Sequence, residues 1–161
     1  MVQIDIMFED ARWDAAGLPN LAQIACDATL TALGLTPDWE VSILACSDSR
    51  IAELNSDFRD KPTPTNVLSW PSDDRAADQA GGAPDLPQGP DPELGDIAIA
   101  YGVCNAEATE QGKPFNHHVI HLLIHATLHL LGYDHIHDQD AALMEGLEAR
   151  ILANLGIADP Y

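Results

Sequence analysis

The chain is short of positive charge. Seven Lys and Arg stand against 26 Asp and Glu in 161 residues, a formal net charge of −19. Nucleic-acid backbones are gripped largely by Lys and Arg. That balance excludes a broadly basic nucleic-acid coat, and DNA is not an expected partner. An RNA partner would need a local basic patch or help from a metal. Cysteine is also scarce. Cys26, Cys46 and Cys104 are odd in number, far apart and form no CxxC pair. A disulfide framework and a thiolate zinc site are excluded, and the three read as small buried hydrophobes. Long hydrophobic runs are missing, and no stretch approaches the roughly 20 apolar residues of a membrane span. The opening MVQIDIMFED has neither the basic start nor the apolar core of a secretory signal. The expectation is a cytoplasmic protein without membrane contact.

What is present fits one domain over residues 1–161, with an ordinary hydrophobic fraction of 46%. VQIDIMF alternates apolar and polar residues and predicts a first strand. NLAQIACDATLTALGL has helical spacing and ends near Gly34. Residues 39–46 predict a second strand, and 48–59 a short helix capped by Asp48 or Ser49. Residues 66–70 predict a third strand. Residues 71–93 are rich in Pro, Gly, Asp and Ala without periodicity, and are expected to form a mobile loop inserted within the domain. Residues 95–101 resume strand character and 103–111 suggest a helix. Another helix is expected from a cap at Asn116 to Leu131, closed by Gly132. A last one spans Asp138 to Leu155, with Leu143, Leu147, Ile151 and Leu155 on one stripe. This order predicts an α+β fold, a small mixed four-stranded sheet with helices packed mainly on one face.

All seven histidines fall between residues 117 and 137. His125 and His129 are one helical turn apart on the same face, the i, i+4 pair that grips a metal in HExxH sites. Gly132 lets the chain turn so that His135 can return as a third ligand. Three imidazoles leave a fourth tetrahedral position open, the arrangement of a catalytic zinc, although neutral imidazoles also suit nickel or copper. His118 and His121 share the face of His125, and His121 is a reserve ligand or a group behind the ligands. His117 and His137 read as solvated. Asp134 could orient a ligand imidazole or simply shape the turn.

The residue after His125 is Ala126, where a peptidase would carry its general base, Glu. The metal cage survives without the base, so the site is structural or serves a substrate that needs less help. A phosphodiester beside a 2′-hydroxyl is such a substrate. Phosphoryl chemistry also calls for a cation, and Arg50, Arg59 and Lys61 crowd into twelve positions. Arg59 is the candidate phosphate clamp, or else a partner of its own helix dipole. Thr63, Thr65 and Asn66 bind ligand or shape the turn.

HATLHLLGYDH resembles the HGxLHLxGYDH signature of the YbeY-type endoribonuclease family of rRNA maturation factors. LNSDFRDKPTPTNVLSWP, ELGDIAIA and ALMEGLEARIL resemble further family segments in the same order. The resemblance implies a compact α+β fold related to the zincins, with a zincin-like metal helix. It implies a metal-dependent, single-strand-specific endoribonuclease that matures the 3′ end of 16S rRNA and serves ribosome quality control. One Zn²⁺ would sit on His125, His129 and His135, with Arg59 and His125 as catalytic residues. Single-stranded RNA and ribosomal or small-subunit proteins would be the partners. Ala126 stands where the family usually has Gly, and Asn66 where Asp is usual. Two other classes stay open. One is a non-catalytic ribosome assembly factor with a structural zinc, which a fourth ligand such as His121 or Asp134 would favour. The other is a metallopeptidase whose base comes from elsewhere, such as Glu145 or Asp96.

Overall fold

The computed structural model describes residues 1–77, 79–87 and 90–161. The elements run β1 (Gln3–Phe8), α1 (Arg12–Ala15), α2 (Leu18–Ala32), β2 (Glu40–Cys46), α3 (Asp48–Arg59), β3 (Val67–Pro71), β4 (Glu93–Ala100), α4 (Tyr101–Gln111), α5 (Phe115–Leu130) and α6 (Asp138–Asn154). The four-stranded sheet has the order β1-β2-β4-β3. β1, β2 and β4 are parallel, and β3 is antiparallel to β4. The sheet is therefore mixed, as expected.

Side chains alternate across a strand, and this alternation sorts the core. Val41, Ile43, Ala45, Ile97 and Ile99 enter the main core with α2 and α5. Cys46, Ala98 and Ala100 point the other way, into a smaller cluster with Leu68 and Ile51. Thus α3, with Val103 of α4, covers part of the second face, and the larger helical layer lies on the first. Burial pushes the thiols of Cys26 and Cys46 up to about 11 and 12 and raises that of Cys104. All three are free and buried, in keeping with a packing role.

Several boundaries differ from expectation, each for a local reason. The four residues of α1 are too few to show periodicity. They exist to seat Trp13, fully buried, whose Nε1 donates to the carbonyls of Cys46 and Ile99 at 3.1 Å each. That indole ties the ends of two neighbouring strands. α2 starts at Leu18, with Pro19 in its first turn. The cap of α3 is Ser47, whose Oγ accepts from Arg50 N at 3.3 Å, rather than Asp48 or Ser49. Asp48 is engaged elsewhere: its Oδ1 accepts from Val103 N at 3.0 Å and serves the first turn of α4. With that cap supplied from another element, α4 begins at Tyr101, earlier than its own sequence suggests. α5 starts at Phe115 behind Pro114 and does not use Asn116 as a cap.

The expected loop at 71–93 lies partly outside the described residues, at 78, 88 and 89. Its ends are strand, since β3 includes Pro71 and β4 begins at Glu93. Among the described residues, no helix is long and apolar enough to cross a membrane.

Gly95 controls how β3 reaches β4. The register shifts so that Val41 pairs with Gly95 after Glu40 pairs with Glu93. Gly95 has φ 143°, and a Cβ there would lie 2.2 Å from the Trp70 carbonyl oxygen. Gly95→Ala should cost roughly 2–3 kcal/mol through overpacking and strain. In urea unfolding this appears as a lower midpoint with an unchanged m-value. An unchanged midpoint would show that the strand pair can part without loss.

Candidate metal centre

Helix α5 buries Val119, Ile120, Leu122, Leu123, Ile124, Ala126, Thr127, Leu128 and Leu130. A helix so apolar around most of its circumference belongs inside the protein. Its histidines are among the few polar exceptions, and His121, His125 and His129 line a cleft. His125 and His129 stand one turn apart with their Nε2 atoms 3.1 Å from each other. After Leu131 the chain turns on Gly132, at φ 102°. Tyr133 N donates back to Leu128 O at 3.0 Å. A Cβ on Gly132 would lie 2.4 Å from the Arg75 carbonyl oxygen, so the turn needs glycine for both conformation and space. This turn brings back His135, and one ring nitrogen from each of the three histidines lies within 4.8 Å of the others.

The outer nitrogens are already committed. Nδ1 of His125 meets Glu148 Oε1 at 2.5 Å, and Nδ1 of His129 meets Tyr133 O at 2.9 Å. A carbonyl and a carboxylate both accept, so each ring carries its proton on Nδ1 and turns a bare Nε2 lone pair inward. Two lone pairs 3.1 Å apart repel unless a cation or proton lies between them. Burial, then the neighbouring His125 and His135, pushes His129 down to about 4, which keeps it neutral near pH 7. The donor set therefore fits a metal ion, and the three histidines could hold one.

Glu148 is the functional group that sequence reasoning passed over. It projects from α6 with its side chain fully buried. Burial alone would raise its pKa, but the facing imidazoles of His121 and His125 and the Tyr161 hydroxyl outweigh it and hold it at about 2. It is thus a buried anion facing the His125 ring, an arrangement that would orient a metal-bound imidazole. A signal existed: Glu148 falls on the same side of α6 as Met144, Leu147, Ile151 and Leu152, where an unpaired charge would be costly.

The other candidates sort as follows. His121 also lines the cleft but stands outside the cluster, its Nε2 3.8 Å from Glu148 Oε1. Asp134 shapes the turn, its Oδ1 accepting from His135 N at 2.7 Å. Among the described residues no fourth His, Cys, Asp or Glu donor joins the three. Arg59, exposed at the end of α3, lines the same cleft of about 590 Å³ together with Thr65 and Asn66. Lys61 and Thr63 are not in its lining; Thr63 O instead accepts from Asn55 Nδ2 at 2.9 Å. Arg50 pairs with Glu9 and Glu53, at 3.2 and 3.1 Å. Glu145 is not in the cleft lining, and Asp96 lines a groove on the opposite face of the sheet. His117 and His137 stand apart from the cluster.

Asn66 also has a defined task. Its Nδ2 donates to the Glu107 carboxylate at 3.1 and 3.4 Å, and its Oδ1 accepts from Val67 N at 2.7 Å. Glu107 Oε1 is 2.9 Å from Nε2 of buried His118. In this chain the position needs a donor, which aspartate lacks.

The fold and this cluster define a class: an α+β protein with three imidazoles converging at a cleft. The particular family is then plain. The sequence model described as Endoribonuclease YbeY matches residues 3–156, and the chain belongs to that family. An Endoribonuclease YbeY from Dinoroseobacter shibae is 61% identical, over 98% of this chain and 90% of that protein. One from Ruegeria pomeroyi is 56% identical, over 98% and 97%. The solution structure of TM1509 from Thermotoga maritima shares the fold, with a TM-score of 0.55 at 21% identity, covering 99% of this chain and 98% of that one. Membership supports an RNA-cleaving hydrolase.

Two outcomes follow from the site's electrostatics. His129 moves from 6.5 down to about 4 on folding, and Glu148 from 4.5 down to about 2. As pH falls, the unfolded chain takes up each proton first, so acid favours unfolding. The metal-free protein should lose stability from about pH 6.5 downward, first through His129 and then, below about 4.5, through Glu148. Thermal unfolding across pH 7 to 3 tests this, and His129→Gln should flatten the upper part of the curve. Separately, Asn66→Asp sets a second carboxylate against Glu107 and should cost about 1–2 kcal/mol at pH 7. Adding Glu107→Gln should recover most of that loss; an additive double mutant would show that the pair does not interact.

Proposed function

We propose that the chain is a zinc-dependent, single-strand-specific endoribonuclease acting on rRNA, in 16S 3′-end maturation and ribosome quality control. One Zn²⁺ would be held by His125, His129 and His135, and Arg59 and His125 are the catalytic residues. Ribosomal or small-subunit proteins would be its partners, in the cytoplasm. The observation that carries this reading is the convergence of three inward imidazole nitrogens at a cleft that Arg59 also lines. Zinc held there would supply a Lewis acid toward phosphate oxygens and toward water. The Arg59 guanidinium can donate to two phosphate oxygens at once and offset charge developing on them. Glu148 keeps His125 in the tautomer that faces the cleft. Ala126 lines the cleft beside His125 without adding a base, which suits a phosphodiester better than a peptide. A recessed centre also favours a single strand, which can bend inward, over a stiff duplex.

The rival reading, a structural zinc in a non-catalytic assembly factor, called for His121 or Asp134 as a fourth ligand. Neither joins the cluster. Zinc-loaded protein should cleave single-stranded RNA and spare a duplex. His125→Ala and Arg59→Glu should each lower the rate by about 10²-fold or more, and a chelator should abolish activity until zinc is restored. Equal cleavage by all three proteins would mean a contaminating nuclease and would remove the catalytic reading.

A further inference from the structure

Residues beyond 156, where the family match ends, fold back onto the site. The return is written in the local sequence. α6 closes with Gly156 N donating to Ala153 O and Ile157 N to Leu152 O, at 3.0 and 2.9 Å. Ile157 then packs against the main core. Asp159 Oδ1 accepts from Tyr161 N at 2.9 Å, which curls the next residues. Tyr161 arrives with its ring edge-on to His121, centroids 5.8 Å apart, and lines the cleft that holds the three histidines. Its hydroxyl donates to Glu148 Oε2.

Glu148 is thereby held from both sides. His125 takes Oε1, and Tyr161 takes Oε2. A fully buried carboxylate needs both oxygens matched. With only one held, it could rotate about its terminal torsion and release His125 from its fixed plane. His121 is the other neighbour, but at 3.8 Å from Oε1 and 3.5 Å from the Tyr161 oxygen it offers no equal substitute. Oriented imidazoles bind metal better than free ones, because less freedom is lost on binding.

We propose that Tyr161 is a positioning residue for the metal centre, acting through Glu148 on His125. The inference rests on the metal-site reading above and adds a residue outside the family match. The hydroxyl, not the ring, is the working group, so Tyr161→Phe is the informative variant.

The experiment measures zinc affinity by competition with a chromophoric chelator, for the full chain, Tyr161→Phe and Glu148→Gln. Imidazole N–H proton resonances and thermal midpoints of the metal-free proteins are recorded alongside. Loss of a ligand's direct partner costs about 10–100-fold in metal affinity, the range expected for Glu148→Gln. Tyr161→Phe, one bond further out, should weaken zinc roughly 3–10-fold on the same scale. It should also shift or broaden the downfield His125 N–H signal, and lower the thermal midpoint of the metal-free protein modestly because one buried carboxylate oxygen loses its donor. Parent-like affinity and an unchanged N–H signal in Tyr161→Phe would overturn the proposal. So would a loss of affinity with the His125 N–H signal unchanged, since that would be a general loss of stability and not of ligand orientation. If the parent chain itself binds no zinc, the metal reading falls as well, and that outcome is distinct because it shows before any variant is compared.

Discussion

The hydrogen bond between His125 Nδ1 and Glu148 Oε1 is the contact on which the site depends. It places a negative charge in the protein interior, a costly arrangement unless the charge is fully paired. The charge and its partners come from three segments: α6 supplies the carboxylate, α5 supplies His125 and His121, and the returning tail supplies Tyr161. None of these segments can move far without exposing an unmatched group. The same bond fixes which nitrogen of His125 carries the proton, and so which one faces the cleft. Packing of α6 and the chemistry of the centre are therefore one constraint, expressed once in structure and once in function.

That constraint explains which parts were legible in the sequence. The convergence of His125, His129 and His135 follows from helical pitch and a glycine turn, both of which are local. Strands β2 and β4 were legible because alternation is local too, and α6 because its apolar stripe runs over about three turns. What escaped were features defined by another element. Trp13 sits on a helix too short to show a period, and its meaning lies in the carbonyls of Cys46 and Ile99. Asp48 reads as a cap for its own helix but serves α4. Glu148 belongs to no ligand spacing, and its role shows only once its partners on α5 and the tail are placed around it. Asn66 looks like a loss of charge until Glu107 is seen beside it, when the amide becomes the group that fits.

The acidity of the chain is then a question of range. At physiological salt, exposed charges are screened beyond about 8 Å, so the formal −19 acts mainly as a diffuse repulsion. What a phosphate meets in the cleft is set by nearby groups. Two guanidinium side chains line it. Arg75 is turned toward protein, donating to Leu130 O at 2.8 Å, Leu94 O at 3.3 Å and Ser72 Oγ at 3.0 Å. It anchors the chain after β3 against the end of α5 and keeps the backbone close over Gly132. Arg59 stands at the cleft without an ion pair among the described residues. Asp73, Asp74 and Asp134 share the lining, and each accepts a backbone N–H, which ties part of their charge into the turns. On the proposed reading, attraction for a phosphate would be concentrated at Arg59 and at a cation held by the three histidines. A surface that repels RNA broadly, with one such point inside a cleft, disfavours nonspecific coating. On the same reading, it would select a strand whose backbone can reach that point.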